Sequence, residues 1–240
     1  MTVNMTLEYA LPTLDADHRA LRQATIGSRV YESVRQAIVQ LQFRPGNPLS
    51  EAEIARQLGV SRQPVREAFI KLAEAGLLEI RPQRGTFVRL ISKREVENAR
   101  FLREAIEVAI VRKAATDAGP ADIAGMEALI GEQRAVAERG DNAAFPRLDE
   151  AFPQATARSA DCVDAWRVIE GLKAQMDRVR YLSLPQATPL DIIIEQHRSI
   201  VAAVTAHSPE RAEAAMREHL SEILISLPKL AIEHPAFFAA

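Results

Sequence analysis

Three polar side chains lie at the start of a short amphipathic segment, in a spacing that suits the reading of DNA bases. Arg62 and Arg66 are four residues apart, with Gln63 between them, on the side of a predicted helix opposite its apolar residues. A guanidinium can donate two hydrogen bonds to guanine O6 and N7, and a glutamine amide can pair similarly with adenine. Ser61 precedes the helix, where a hydroxyl and the free backbone N–H groups suit a phosphate. The pattern predicts a helix whose first turns face DNA.

A second set of residues could bind a metal ion or line a polar pocket. His197 and His219 lie on either side of Ser208 and Pro209, which indicate the turn between two helices. Each histidine is about 10–11 residues, or roughly 16 Å, from that turn, so an antiparallel helix pair brings both to one level. Asp149 shares a face with apolar residues, where a carboxylate needs a partner. Two imidazoles and a carboxylate suit zinc or a similar divalent ion; the alternatives are a metal-free polar pocket or ordinary core positions.

The residues around the first set predict a helix-turn-helix followed by a β-hairpin. Ser50 and Glu53 form a capping box at the start of one helix, and Gly59 ends it, since a positive φ permits a tight turn there. Ser61 is the expected N-cap of the next helix. Two short extended segments, LLEI and TFVRL, flank RPQRG, whose Pro and Gly indicate a hairpin turn. Together these elements predict a winged helix-turn-helix.

The rest of the chain lacks strand patterns and predicts helices only. Gly–Pro, Gly–Asp and Ser–Pro pairs divide it. A first helix is expected over about 28–42, and later ones over about 93–118, 121–139, 141–158, 162–183, 189–207 and 209–230. The predicted fold class is mainly α, an N-terminal winged helix-turn-helix plus a C-terminal all-α helical bundle. The expected segments are a loose arm (1–24), the winged domain (25–91) and the helical domain (92–235).

Charge is distributed unevenly along the 240 residues. Residues 1–94 carry 14 Lys and Arg against 9 Asp and Glu, whereas residues 95–240 carry 16 against 23. A basic N-terminal module suits a polyanion. The single cysteine, Cys162, excludes an internal disulfide framework and a Cys-rich zinc cluster. The sequence contains neither a long apolar run nor a secretory signal pattern, so we expect a cytoplasmic protein without a membrane span.

The stretch PGNPLSEAEIARQLGVSRQPVREAFIKLAEAGLLEIRPQRGTFV resembles the DNA-binding domain of the GntR-type bacterial transcription regulators, nearly without gaps. The helical remainder looks like the ligand-binding and dimerisation domain of the FadR-like branch. The resemblance implies a homodimer, a palindromic operator in double-stranded DNA, and release or tightening by a small carboxylate effector. It also implies which residues contact the DNA, with Arg35 of the first helix as a further phosphate contact. The others are Ser61, Arg62, Gln63, Arg66, Arg84 and Gly85.

The resemblance also supports the metal set. Many FadR-like domains carry an Asp, a His four residues later, and two further His on the last two helices. Asp149, His197 and His219 match three of these positions. The second position is Pro153, which cannot coordinate a metal, so an ion such as zinc would have three ligands, open positions and a weaker affinity.

The effector's carboxylate is expected at Arg103, a position that the family often uses for this purpose and whose bidentate donors suit it. The alternative is an i,i+4 ion pair with Glu107 on a solvated face. Further candidates for the pocket wall are Arg178, Arg180 and Tyr181. Their stretch, DRVRYLSLP, resembles family members tied to sugar acids such as hexuronates.

The function that these features favour is a ligand-responsive transcription regulator, a repressor and not an enzyme. A helical metal-dependent enzyme would need a nucleophile or a general base beside the metal. The sequence offers no H-E-x-x-H, G-x-S-x-G or phosphate loop for this purpose. A structural nucleoid protein is the other alternative, and the acidic, pocket-like second domain argues against it.

Overall fold

The structure is a computed structural model that describes residues 25–142, 144–183 and 189–239. The arm expected over 1–24 lies outside the described residues, as do residues 184–188, which include the last two residues of the stretch that resembles sugar-acid regulators. The chain divides into two compact units. Among the described residues, the first unit contains 25–92 and 236–239, and the second contains 93–235.

Helices and a small antiparallel sheet form the first unit. Its elements are α1 (Ile26–Val39), β1 (Pro48–Leu49), α2 (Glu51–Leu58), α3 (Arg62–Glu74), β2 (Leu78–Arg81) and β3 (Gly85–Val88). The predicted hairpin is β2–β3, and β3 also pairs with β1, which gives the sheet order β1-β3-β2. The sequence pattern does not predict β1, because two residues are too few to show alternation.

The turn between α2 and α3 forms for local reasons. The Oγ of Ser50 accepts a hydrogen bond from the backbone N–H of Glu53 at 3.4 Å, which caps the start of α2. Gly59 ends α2 in the left-handed region at φ +65°, which glycine adopts without strain. The apolar faces of the helices meet in a core of Val30, Val34, Ile38, Ile54, Leu58, Val65, Phe69 and Leu72. This packing leaves the opposite face of α3 exposed.

The last residues of the chain belong to the first unit. The backbone N–H of Ile91 donates to the carbonyl of Phe237, and the N–H of Ala239 donates to the carbonyl of Ile91, both at 2.8 Å. Ile91 and Phe238 are buried, so apolar packing supports these bonds. No local pattern predicts this contact, since its two sides are far apart in the sequence.

Helices make up the second unit, and the mainly α fold class is confirmed. They are α4 (Lys93–Asp117), α5 (Pro120–Glu138), α6 (Phe145–Ser159), α7 (Val163–Leu172), α8 (Ala174–Ser183), α9 (Leu190–Thr205) and α10 (Pro209–Glu233). The helix α10 packs on α4 and α9, and α5 packs on α6 and α9. Within the described ranges, none of these helices combines the length and apolar character that a bilayer span needs.

The single helix expected over 162–183 is wrong, since α7 and α8 are separate. Lys173, whose side chain is buried, lies between the two helices. Its Nζ lies 2.6 Å from Oε2 of Glu150 on α6 and 3.1 Å from Oδ2 of Asp177. A contact with another helix thus accompanies the break, and helical periodicity does not reveal it. In contrast, α6 continues through Pro153.

Candidate functional site

The predicted recognition residues lie on the exposed face of α3. Arg62, Gln63 and Arg66 are all exposed. The Nη2 of Arg62 lies 3.9 Å from a carboxylate oxygen of Glu51, and Nε2 of Gln63 donates to Glu67 at 2.9 Å. Exposed contacts of this kind contribute little to stability, so DNA can replace them at low cost.

The other predicted DNA contacts are spread over three elements. Ser61 is the N-cap of α3 and makes no side-chain cap hydrogen bond, so its hydroxyl is not used by the helix. Arg84 is exposed in the turn between β2 and β3. Gly85 opens β3 at φ +101°, a conformation that other residues rarely adopt. Arg35 is half-buried, and its Nη1 lies 3.6 Å from Oε1 of Glu32. A role at DNA stays a prediction for each of them.

A buried cluster in the second unit brings together the three residues predicted to bind a metal. His197 stacks on Phe152 with ring centroids 3.9 Å apart, and its ring centroid lies 4.8 Å from that of His219. The Nε2 of His197 is 3.6 Å from Oδ1 of Asp149 on α6. The antiparallel pair α9–α10 thus brings the histidines together, as their spacing predicts.

Two glutamine amides determine where the histidine protons lie. The Nε2 of Gln133 donates to a backbone carbonyl of α6 at 3.0 Å, so its Oε1 accepts from the Nδ1–H of His197 at 2.9 Å. The Nε2 of Gln196 points to Glu222 at 3.5 Å, so its Oε1 accepts from the Nδ1–H of His219 at 3.1 Å. Each histidine therefore carries an unprotonated Nε2. Gln133 and Gln196 belong to no motif, and the sequence analysis missed them.

Both histidines are neutral near pH 7. Burial, together with the positive charge of Arg180, lowers the pKa of His197 to about 3. Burial also lowers the pKa of His219 well below its ordinary value, and electrostatic interactions with His197, Arg180 and Arg103 add to this effect. Neutral imidazoles in this position act as hydrogen-bond acceptors through Nε2 rather than as cations.

Arg180 provides the positive charge beside Asp149. Asp149 is 3% exposed, and its Oδ2 forms an ion pair with the Nη2 of Arg180 on α8. Its other oxygen, Oδ1, has no hydrogen-bond partner among the described residues, and neither has the Nε2 of His197. The need of this buried carboxylate for a partner is thus satisfied by an arginine on another helix.

Arg103 forms the i,i+4 ion pair with Glu107 on α4 that was the alternative interpretation, but the pair is buried and does not lie on a solvated face. The two residues are 1% and 2% exposed. The Nη1 of Arg103 also contacts Sδ of Met176 at 3.8 Å. Its Nη2 has no hydrogen-bond partner among the described residues. A buried guanidinium therefore retains an unused donor.

A pocket lies beside these arginines in the second unit. Apolar side chains of α8, α9 and α10 form part of its wall, and its polar lining consists of Arg103, Arg180, His219, Gln196, Glu222, Ser183 and Ser226. Two predicted wall residues do not line it. Arg178 is fully buried and its Nη1 donates to Gln175 at 3.1 Å, and Tyr181 is half-buried elsewhere. The two serines and Glu222 carry no sequence signal that identifies them in advance.

Family models match both parts of the chain. Residues 26–88 match "Bacterial regulatory proteins, gntR family", and residues 99–222 match "FCD domain". The chain belongs to the GntR family. As a GntR protein with an FCD domain of the FadR-like branch, it is a DNA-binding transcription regulator rather than an enzyme.

This GntR regulator is similar in sequence to transcription repressors of other bacteria. It is 42% identical to the HTH-type transcriptional repressor RspR of Escherichia coli (strain K12), over 89% of this chain and 94% of the relative. It is 34% identical to a probable D-xylose utilization operon transcriptional repressor of Paenarthrobacter nicotinovorans, over 88% of this chain and 92% of the relative. Among solved structures, E. coli McbR/YncC has the same fold, with a TM-score of 0.73 and 22% identity over 89% of this chain and 99% of that one.

The histidine cluster of the GntR regulator does not form a metal-binding group as it stands. Within the described part of the chain, no three His, Cys, Asp or Glu side chains are arranged so that they could hold a metal ion. One carboxylate oxygen of Asp149 is occupied by Arg180. Pro153, one turn further along α6, offers no donor atom. The cluster has three open donor atoms, Nε2 of His197, Nε2 of His219 and Oδ1 of Asp149, one fewer than a structural zinc site has.

Acid is expected to destabilise the FCD domain of the regulator through His197. Its pKa is about 3 in the folded chain, so between about 3 and the unfolded value near 6.5 the unfolded chain binds more protons. Stability from the neutral imidazole is therefore complete above about pH 6.5 and is lost as the pH falls below it. Between pH 7.5 and pH 5.5 this loss is on the order of 1 kcal/mol.

Urea unfolding of wild type and His197→Gln at these two pH values measures the effect. Wild type should lose on the order of 1 kcal/mol more than the variant, because glutamine does not titrate. Equal losses in the two proteins would show that His197 takes up its proton as readily in the folded chain as in the unfolded chain.

Proposed function

We propose that this regulator is a cytoplasmic homodimeric repressor that binds a palindromic operator and whose DNA affinity changes when a small carboxylate enters the FCD pocket. The observation that carries the effector part of this proposal is the buried guanidinium of Arg103. Its unused Nη2 donor belongs to a residue that lines an open pocket. Buried donors without a partner are costly, so a ligand acceptor is the natural occupant.

The lining of the pocket favours a carboxylate that also bears hydroxyl groups. Arg103 and Arg180 offer charge-assisted hydrogen bonds to an anion. Ser183, Ser226 and Gln196 are neutral groups that suit hydroxyls of the same molecule. Sugar acids combine these features. The name of the Paenarthrobacter relative, which refers to D-xylose utilization, supports a carbohydrate-derived effector.

Exposed apolar side chains support the homodimer. Phe101 on α4 is 68% exposed, and Ile225 and Ile232 on α10 are 70% and 80% exposed. All three lie beyond the ion pair of Arg217 with Glu104, toward the start of α4 and the end of α10. Apolar groups gathered on paired helices are typical of a subunit interface. A dimer also doubles the number of base pairs that are read, because one recognition helix contacts too few base pairs to select a site alone.

Selection of binding sites from a pool of random DNA tests the proposal. We expect the purified protein to enrich a two-fold symmetric sequence, with half-sites separated by about one helical turn or less, because each subunit reads one half-site. Light scattering at micromolar concentration should give the mass of two chains. Enrichment of an asymmetric site, or a monomer both with and without the selected DNA, would contradict the proposal.

A further inference from the structure

We propose that the guanidinium of Arg180 occupies the role that a divalent metal ion has in metal-binding FCD domains, so that this pocket binds its acid through arginines and without a metal. The inference depends on the proposed effector pocket, and it concerns how that pocket is charged. Asp149, Arg180 and His219 carry the argument.

The first step concerns the charge of Asp149. This carboxylate is 3% exposed, and a buried charge requires an opposite charge nearby. Arg180 provides it through the ion pair with Oδ2, from a side chain that is itself only 17% exposed. A divalent ion on the same carboxylate would either break this pair or, if bound at Oδ1, lie next to a guanidinium. The positive charge of Arg180 therefore opposes a metal ion at this carboxylate.

The second step concerns the donor atoms. A four-ligand site on α6, α9 and α10 would need a donor one turn after Asp149, and Pro153 provides none. The Nε2 of His197 and Oδ1 of Asp149 lie 3.6 Å apart without other partners, and one face of the His197 ring is covered by Phe152. Together with the Nε2 of His219 these atoms are three donors out of four, so a metal ion would bind weakly because the remaining positions would be left to water.

The third step concerns what the arginine offers a ligand. Arg180 contacts Asp149 through Nη2 and also lines the pocket, as does Arg103 with its unused Nη2. Two guanidinium groups can bind one carboxylate between them through charge-assisted hydrogen bonds. His219 lines the same pocket, and its Nε2 is an acceptor because its Nδ1–H is given to Gln196. A hydroxyl group donating to this nitrogen makes a hydroxy acid the class of ligand that fits.

Zinc binding by the intact protein tests the inference. Isothermal titration and native mass spectrometry would compare wild type with Arg180→Met, Arg180→Lys and the double variant Arg180→Met/Pro153→His. Wild type and Arg180→Lys should bind no stoichiometric zinc, because each retains a cation at Asp149. The double variant should bind one zinc per chain, with an affinity at least about 10–100-fold above that of wild type.

Three controls show whether the zinc is bound in this cluster and whether each variant is folded. Adding His219→Ala to the double variant should abolish the gain, which shows that the zinc is in this cluster. Arg112→Met removes an arginine that is 40% exposed on α4 and should leave zinc binding unchanged. Circular dichroism verifies that each variant is folded, and Arg180→Lys still tests the inference if Arg180→Met is not.

Two results would overturn the inference. One is a wild type that holds one zinc per chain and loses it on His219→Ala. The other is a folded double variant that gains no zinc, since Arg180 would then not be what excludes the metal. Neither result affects the proposed function, because selection of a symmetric operator is measured separately and an acid can be bound with or without a metal.

Discussion

Replacing Arg62 or Arg66 by alanine is expected to abolish selective operator binding. Each side chain is exposed on α3, four residues from the other, while Val65 and Phe69 between and beyond them are buried. A bidentate arginine–guanine contact contributes about 1–3 kcal/mol of discrimination. Two half-sites double the loss, so affinity for the selected operator should fall by about 30-fold to 10⁴-fold.

Titration of the selected operator and of a scrambled fragment by gel shift or fluorescence anisotropy measures this effect. Lys71→Ala is the matched control, since Lys71 is an exposed cation in the last turn of the same helix. Its loss removes charge without removing a predicted base contact, so the ratio of the two affinities should stay close to that of wild type. If Arg62→Ala and Arg66→Ala both retain the wild-type ratio, α3 is not the recognition helix.

The largest loss of stability is expected from Arg103→Ala. The guanidinium forms a buried ion pair with Glu107, and the variant would leave that carboxylate buried without its partner. Breaking a buried pair in this way costs about 3–5 kcal/mol. Lys113→Ala on the same helix is the control, since Lys113 and Asp117 form an i,i+4 pair whose side chains are 47% and 43% exposed. An exposed pair contributes about 0–1 kcal/mol.

Urea unfolding of the two single variants measures this difference, and a third variant identifies its cause. Arg103→Met/Glu107→Leu removes both charges and retains apolar volume, so its free energy of unfolding should be closer to that of wild type than that of Arg103→Ala. If Arg103→Ala is no more destabilising than Lys113→Ala, the pair is hydrated rather than buried. If the double variant is the least stable, the charges themselves stabilise the domain.

These predictions also separate two roles of Arg103. Its ion pair with Glu107 holds the side chain in place. Its Nη2 has no hydrogen-bond partner among the described residues, so it can donate to an acceptor of a ligand in the pocket. The double variant retains the packing but not the donor. Arg103→Met/Glu107→Leu should therefore stay folded and lose the response to the acid. Arg103→Ala should lose both stability and the response to the acid.

Local interactions explain why the DNA-binding part of this chain could be predicted from its sequence. The cap of Ser50 on Glu53, the left-handed Gly59 and the apolar stripe of α3 all involve residues within a few positions of one another. Such features follow from the helical period and from the φ preference of glycine. The spacing of His197 and His219 about one turn between two helices is of the same kind, because the rise per residue is constant.

The character of the pocket was decided only by the tertiary structure. Asp149 and Arg180 are 31 residues apart, and Gln133 is 64 residues from His197, whose Nδ1–H donates a hydrogen bond to it. The burial of Arg103 with Glu107 depends on which helices cover α4. No period or motif connects such residues, because their proximity depends on how whole helices pack. The sequence by itself therefore determined the helix-turn-helix of this GntR regulator and the presence of a polar cluster, and only the packing determined that the cation beside Asp149 is an arginine.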